Sequence, residues 1–132
     1  MSSLSPEQVV QAQLDAYNAR DLQAWLATYA EDACQYEHPG RLLACGHAAL
    51  GERIAVRFTD PRLHARLISR RVIGHSVIDH EEISRDYPKG PGRAEMLAIY
   101  QVRDGLIQAA TFVFGDPVYA AVAETAETAD AA

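Results

Sequence analysis

No apolar run in the sequence approaches the ~18 residues that a membrane helix needs, and the opening MSSLSPEQ carries neither a basic segment nor an apolar one. Both gaps speak against a membrane partner and make the cytoplasm the expected compartment. Cysteine is scarce: only Cys34 and Cys45 occur, and in that compartment they are expected to be reduced, buried thiols. Lysine is scarcer, with Lys89 alone among 12 basic residues. Positive charge is outweighed by 18 Asp and Glu, for a formal net charge of -6. Such a chain repels phosphate, and the Arg70-Arg71 pair is too short to reverse that, so nucleic acid is not an expected partner.

Chemical motifs are also missing. There is no H-E-x-x-H and no C-x-x-C. His75 and His80 are five apart, on opposite faces of any strand, and cannot hold one ion together. His47 and His64 are isolated, and no metal is implied. Gly74-His75-Ser76 lacks the downstream glycine of a nucleophile elbow. Gly90-Pro91-Gly92 lacks the third glycine of a dinucleotide fingerprint and marks a hairpin loop instead. No cofactor is implied.

What is present suffices for one folded unit. Of 132 residues, 48% are apolar, enough for a single core and too few residues for two. The expected domain spans 1–118. Residues 119–132, rich in Ala, Glu and Thr, read as a low-complexity acidic tail. Ser5-Pro6-Glu7-Gln8 is a helix start, with Ser5 as cap, Pro6 at the first helical position and Gln8 closing a capping box. That helix should run to about Asn18. Asp21 caps a second, whose Leu22, Trp25, Leu26 and Tyr29 recur at helical spacing. Glu31-Asp32 should break it, with a short strand over Ala33–Glu37 and a loop from Pro39 to Gly46. A third helix is predicted over His47–Phe58, ended by Asp60-Pro61.

The character then changes. Leu63–Ile73, Val77–Tyr87, Ala94–Val102 and Leu106–Phe114 are four β-like runs, and Asp104-Gly105 is a tight-hairpin signal. Short turns between consecutive strands make them antiparallel. Helices first and a meander afterwards give an α+β fold. A curved, mostly antiparallel sheet would wrap around three N-terminal helices as a cone, with an open end able to take a small molecule.

This order resembles the nuclear transport factor 2-like (NTF2-like, cystatin-like) superfamily, in its SnoaL-like and ketosteroid-isomerase-like branch. Asn18-Ala19-Arg20-Asp21-Leu22, Tyr29-Ala30-Glu31-Asp32-Ala33, Gly46 and Phe112-Val113-Phe114-Gly115 carry the resemblance. It implies a cofactor-free isomerase or cyclase acting by proton transfer on an apolar, enolisable ketone. The family's isomerases pair an aspartate base with an oxyanion hole made of a tyrosine and a protonated aspartic acid. The base position falls on Glu37, or on His38 if Pro39 is the anchor. The tyrosine position falls on Gln13, and the protonated acid on Ala98 or Leu97. A base candidate is kept, and both acidic donors are replaced. The same fold without turnover would be a hydrophobic-ligand-binding or dimeric interaction module.

Other residues bear weighing. Asp79, His80, Glu81 and Glu82 form a polar cluster, with His80 and Glu82 on one strand face and Asp79 and Glu81 on the other. If His80 faces inward, Glu82 could hold its ring and leave a nitrogen for substrate. Otherwise the cluster is a solvated face paired with Arg70, Arg71 or Arg85. Tyr17, Trp25, Tyr29, Tyr36, Tyr100, Phe112 and Phe114 would line the cavity or simply fill the core. A single curved sheet leaves an apolar outer face, so a homodimer is expected.

Overall fold

A computed structural model describes residues 4–120. Helix α1 (Pro6–Ala19) starts where the capping box predicts: the Gln8 N–H donates to the Ser5 hydroxyl at 3.2 Å, and the Ser5 N–H to the Gln8 side chain at 2.9 Å. It ends at Arg20, which adopts the left-handed conformation at φ 56°. Asp21 caps α2 (Leu22–Leu26) by accepting from the Ala24 N–H at 3.1 Å. The family-like stretch around these caps staples the helices to the sheet. The Asn18 amide exchanges two hydrogen bonds with the backbone of Ala65, at 2.9 and 2.8 Å. Arg20 donates to the carbonyls of Asp60 and Leu63.

Five local expectations are corrected. Helix α2 is only five residues long, and Tyr29 opens strand β1 (Tyr29–Glu37). The helical stripe misleads because Tyr29 is buried by pairing with Ile107 in the sheet as well as by packing on Trp25. Glu31 and Asp32 therefore sit inside a strand, where the register shifts and both are exposed. The expected loop contains strand β2 (Arg41–Cys45), paired antiparallel with β1. That register sets Cys34 opposite Cys45, with Cα atoms 4.1 Å apart, and the two form a disulfide instead of buried free thiols. Gly90, Pro91 and Gly92 belong to a strand, not to the loop before it.

Helix α3 (Gly46–Phe58) leads into the meander β3 (His64–Ile73), β4 (Ser76–Tyr87), β5 (Gly90–Arg103) and β6 (Leu106–Phe114). The strands of the meander are antiparallel, and β1 joins β6 in parallel, giving the order β2-β1-β6-β5-β4-β3. The short β7 (Val118–Tyr119) completes a seven-stranded sheet by pairing with β5 at Gly92 and Arg93. A side chain at Gly92 would meet the Val118 carbonyl at 2.7 Å, so only glycine admits β7 there. The sheet curves around the three helices, as an α+β plan requires. Of the tail over 119–132, Tyr119 lies in β7, and 121–132 fall outside the described residues.

Alternation along β4 decides which side chains look inward. Val77, Asp79, Glu81, Ile83 and Tyr87 are buried, while their neighbours are partly or fully exposed. The main core gathers Val9, Val10, Trp25, Leu50, Ile54, Tyr100 and Ile107 between helices and sheet. A smaller cluster of Leu14, Leu63, Ala65 and Ile83 closes the β3 end.

Candidate functional site

The helices do not fill the concave face of the sheet. A cavity of about 400 Å³ remains between α1, α3 and the inner faces of β1, β4, β5 and β6. Gln13, Tyr17, Trp25, Tyr29, Tyr100, Phe112 and Phe114, expected from the sequence, line it together with Glu37. Other expected residues do not. Tyr36 points to the opposite face of β1, because Gln35 and Glu37 take the inner one. Ala98 is fully buried between Asp79 and Phe112 on the adjacent strands, and its methyl does not reach the cavity. His38 is exposed at a turn before a cis Pro39, where its N–H donates to the Phe112 carbonyl at 2.8 Å. His80 lies on the outer face of β4. Its partner is Glu95 on β5, at 2.7 Å, and not Glu82, which faces Arg66 and Arg93 at 3.5 Å each.

Glu37 lines the cavity with a side chain 35% exposed, held by Arg41 at 3.2 Å. Desolvation acts instead on Glu81. That carboxyl is 3% exposed, faces the cavity and has no ion-pair partner among the described residues. Burial pushes its pKa up to about 7, the nearby Asp79 charge adds to the rise, and Arg70 opposes it. Asp79 lies deeper in the same face, outside the cavity wall, and Arg70 neutralises it through two hydrogen bonds at 2.7 and 3.0 Å. Arg70 is itself fixed by the Gln11 side-chain oxygen at 2.9 Å.

Four tyrosines line the cavity with Glu81, and Tyr87 spends its hydroxyl on the Ile83 carbonyl at 2.8 Å, which leaves the phenols of Tyr17, Tyr29 and Tyr100. Burial pushes the Tyr17 pKa to about 12 and raises Tyr29 and Tyr100 further, with the Glu81 charge contributing to all three. All three keep their protons at neutral pH and can donate. A polar chain orients one of them: Arg53 donates to the Gln35 oxygen at 3.1 Å, and the Gln35 amide donates to the Tyr29 hydroxyl at 3.2 Å. With its oxygen already accepting, the Tyr29 O–H is free to donate elsewhere. The buried Trp25 indole N–H, also on the cavity wall, has no partner among the described residues. No group of three His, Cys, Asp or Glu among the described residues is placed to hold a metal ion.

Sequence reasoning grouped Glu81 with Asp79 on one face of the cluster, yet gave the catalytic part to His80 on the other. Parity with the buried Val77, Ile83 and Tyr87 was the signal that could have assigned the inner face. Nothing comparable pointed to Gln35 and Arg53, whose roles come from contacts 18 residues apart.

Comparison with known proteins agrees with this fold. Solved structures share the fold at low identity. A cystatin-fold protein from Novosphingobium aromaticivorans superposes with a TM-score of 0.77 at 22% identity, over 83% of this chain and 98% of its own. A hypothetical protein with a ketosteroid isomerase-like fold from Catenulispora acidiphila, in complex with trimethylamine, gives 0.69 at 17%, over 83% and 85%. A candidate polyketide cyclase from Sinorhizobium meliloti gives 0.67 at 21%, over 80% and 93%. No curated protein matches the sequence. The SnoaL-like domain matches residues 10–110, most of the described fold and nearly all of the cavity wall, and the chain therefore belongs to the SnoaL-like family of the NTF2-like superfamily.

Proposed function

We propose that the protein moves a proton on a small, enolisable carbonyl compound without a cofactor, as an isomerase or cyclase does, and that Glu81 carries the proton. One observation carries the reading: Glu81 is a buried carboxyl facing a cavity of about 400 Å³, with phenols around it and no ion-pair partner among the described residues. A general base works best with a pKa near the operating pH. The ionised Glu81 takes a proton from the carbon next to the carbonyl. The electron pair moves onto the carbonyl oxygen, where Tyr29 or Tyr100 donates to the developing charge. Glu81 then returns the proton to a different carbon, which isomerises the substrate. In a cyclase the enolate carbon attacks a second carbonyl instead, the ring closes as that C=O π bond breaks, and Glu81 returns its proton to the resulting alkoxide. Glu37 and Glu95 are the other carboxylates on the cavity wall, paired with Arg41 and His80.

This assignment moves the base from β1 to β4 and replaces the missing tyrosine and acid, at Gln13 and Ala98, with phenols from other elements. The replaced donors also favour a second reading, in which the cavity binds an apolar ligand without turning it over.

The test is deuterium exchange or isomerisation on a panel of enolisable and β,γ-unsaturated ketones. Glu81→Gln should lower the rate by about 10²–10⁴-fold, and Glu37→Gln by much less. Equal rates in wild type and Glu81→Gln would sink the assignment. Saturable binding with no exchange in wild type would favour the ligand-binding reading.

A further inference from the structure

Three guanidinium groups line the cavity that holds Glu81. Arg53 and Arg57 stand one turn apart on α3 and project from one face, and Arg85 comes from the inner face of β4. All three are half-buried, and among the described residues none forms an ion pair. Arg53 is tied to the neutral Gln35 amide at 3.1 Å. Arg85 lies 3.9 Å over the Tyr87 ring and donates to the Asp86 carbonyl at 3.1 Å. Arg57 is governed by burial and by repulsion from Arg85, both of which lower its pKa. Arg53 is lowered in the same way, by burial and then by Arg57.

Apart from Glu81 itself, the carboxylates near these arginines are engaged elsewhere. Glu37 is held by Arg41 at 3.2 Å, and Glu95 by His80 at 2.7 Å. Asp60 accepts the backbone N–H groups of Arg62 and Asp86 at 2.8 and 2.6 Å. A chain of formal net charge -6 thus gathers three mutually repelling cations on the wall of a cavity that they share with aromatic and aliphatic side chains and with Glu81. Repulsion of this kind, in partial desolvation, is relieved by a bound anion, and the planar fork of a guanidinium matches a carboxylate.

We infer that this part of the cavity binds a carboxylate, so that the substrate is a small keto acid and not a neutral ketone. The carboxylate meets Arg57 and Arg85, with Arg53 beside them, while the enolisable end reaches Glu81. The last clause rests on the proton-transfer reading, whereas the anion subsite stands on the arginines alone.

A matched pair of probes tests it: 4-acetylbenzoate and its methyl ester, with binding measured by calorimetry at low and high salt. Wild type should prefer the acid at least tenfold, and added salt should shrink the preference. Arg57→Gln/Arg85→Gln should abolish it, and Arg57→Lys/Arg85→Lys should retain part of it while reporting whether the fold tolerates change there. Equal binding of acid and ester, a preference that survives the double glutamine variant, or no binding of either probe at millimolar concentration would each overturn the inference. Glu81→Gln separates the two claims. The acid preference should persist in it while exchange at the acetyl group is lost. Exchange that survives Glu81→Gln defeats the base assignment and leaves the anion subsite in place.

Discussion

Arg70 grips Asp79 through a paired contact, Nε to Oδ1 at 2.7 Å and Nη2 to Oδ2 at 3.0 Å, on the inner face of the sheet. Glu81, two residues further along that face, has no such grip. Burial raises the proton affinity of the acid in front of it, and the pair behind the wall adjusts that affinity. Asp79 raises the Glu81 pKa and Arg70 lowers it. Asp79→Asn should shift the Glu81 titration to lower pH, followed by carbon NMR of labelled glutamate. Arg70→Met should shift it higher and also strand a buried aspartate, at a cost of about 3–5 kcal/mol, read by urea denaturation. An unmoved Glu81 midpoint in both variants would show that the pair is electrostatically silent at the site.

Stability should fall as pH rises through the range set by Glu81. Its folded pKa, about 7, lies above the ordinary glutamate value of 4.5. The folded state then binds the proton more tightly than the unfolded one, so stability is greatest below about 4.5 and declines until about 7. The full loss is at most about 3 kcal/mol, at roughly 1.4 kcal/mol per pKa unit. Asp60 acts in the opposite sense and at lower pH, since backbone hydrogen bonds hold it below its usual value. The difference between wild type and Glu81→Gln isolates the effect. Chemical denaturation from pH 5 to 8 should give a steeper fall for wild type. Parallel curves would mean that Glu81 is solvated in the folded protein.

The pH dependence of activity should run the other way. A base must be ionised to accept a proton, so kcat/KM should rise with pH and level off above about 7 if Glu81 is the base. Glu81→Gln should abolish that limb in the residual activity, and a limb that stays at the same pH in the variant would show that another group sets it.

Much of the architecture was legible because its signals are local. The Ser5 capping box, the Asp21 cap and the Asp104-Gly105 hairpin each need only a few neighbouring residues to act. Strand β2 and the short α2 were not legible, since both depend on pairing partners far along the chain. Tyr29 fits a helical stripe and a strand start equally well, and its pairing with Ile107 settles the matter. The site divides in the same way. Aromatics at helical or strand parity were placed on the cavity wall, whereas the acid there emerged only once β4 had an inside and an outside.

The disulfide makes a separate expectation testable. Cys34 and Cys45 face each other across two hydrogen-bonded strands at the edge of the sheet. The bond closes a loop with a sequence separation of 11. Chain entropy for so short a loop allows roughly 2–3 kcal/mol at most, and the strand pairing already restricts much of that freedom. Reduction, or Cys34→Ser/Cys45→Ser, should lower Tm by only a few degrees and leave ligand binding unchanged, because neither sulfur lines the cavity. Loss of binding on reduction would tie the edge of β1, and with it Glu37, to the state of the site.

We propose a homodimer formed through the outer face of the meander. Ile78, Ile99, Leu97 and Val113 fall in register there, with Ile78 opposite Ile99 and Leu97 opposite Val113. Val113 is 40% exposed in the single chain. Contiguous apolar surface on a sheet face favours association, and a two-fold axis would set each copy's patch against the other's. The rim carries the pairs His80–Glu95 and Arg93–Glu82, which suit a polar border. Sedimentation velocity should give a dimer at micromolar concentration. Leu97→Glu/Val113→Lys should give a folded monomer, with the Tm of the single chain little changed because both side chains leave the cavity wall untouched. A monomeric wild type, or a double variant that stays dimeric, would place the interface elsewhere or remove it.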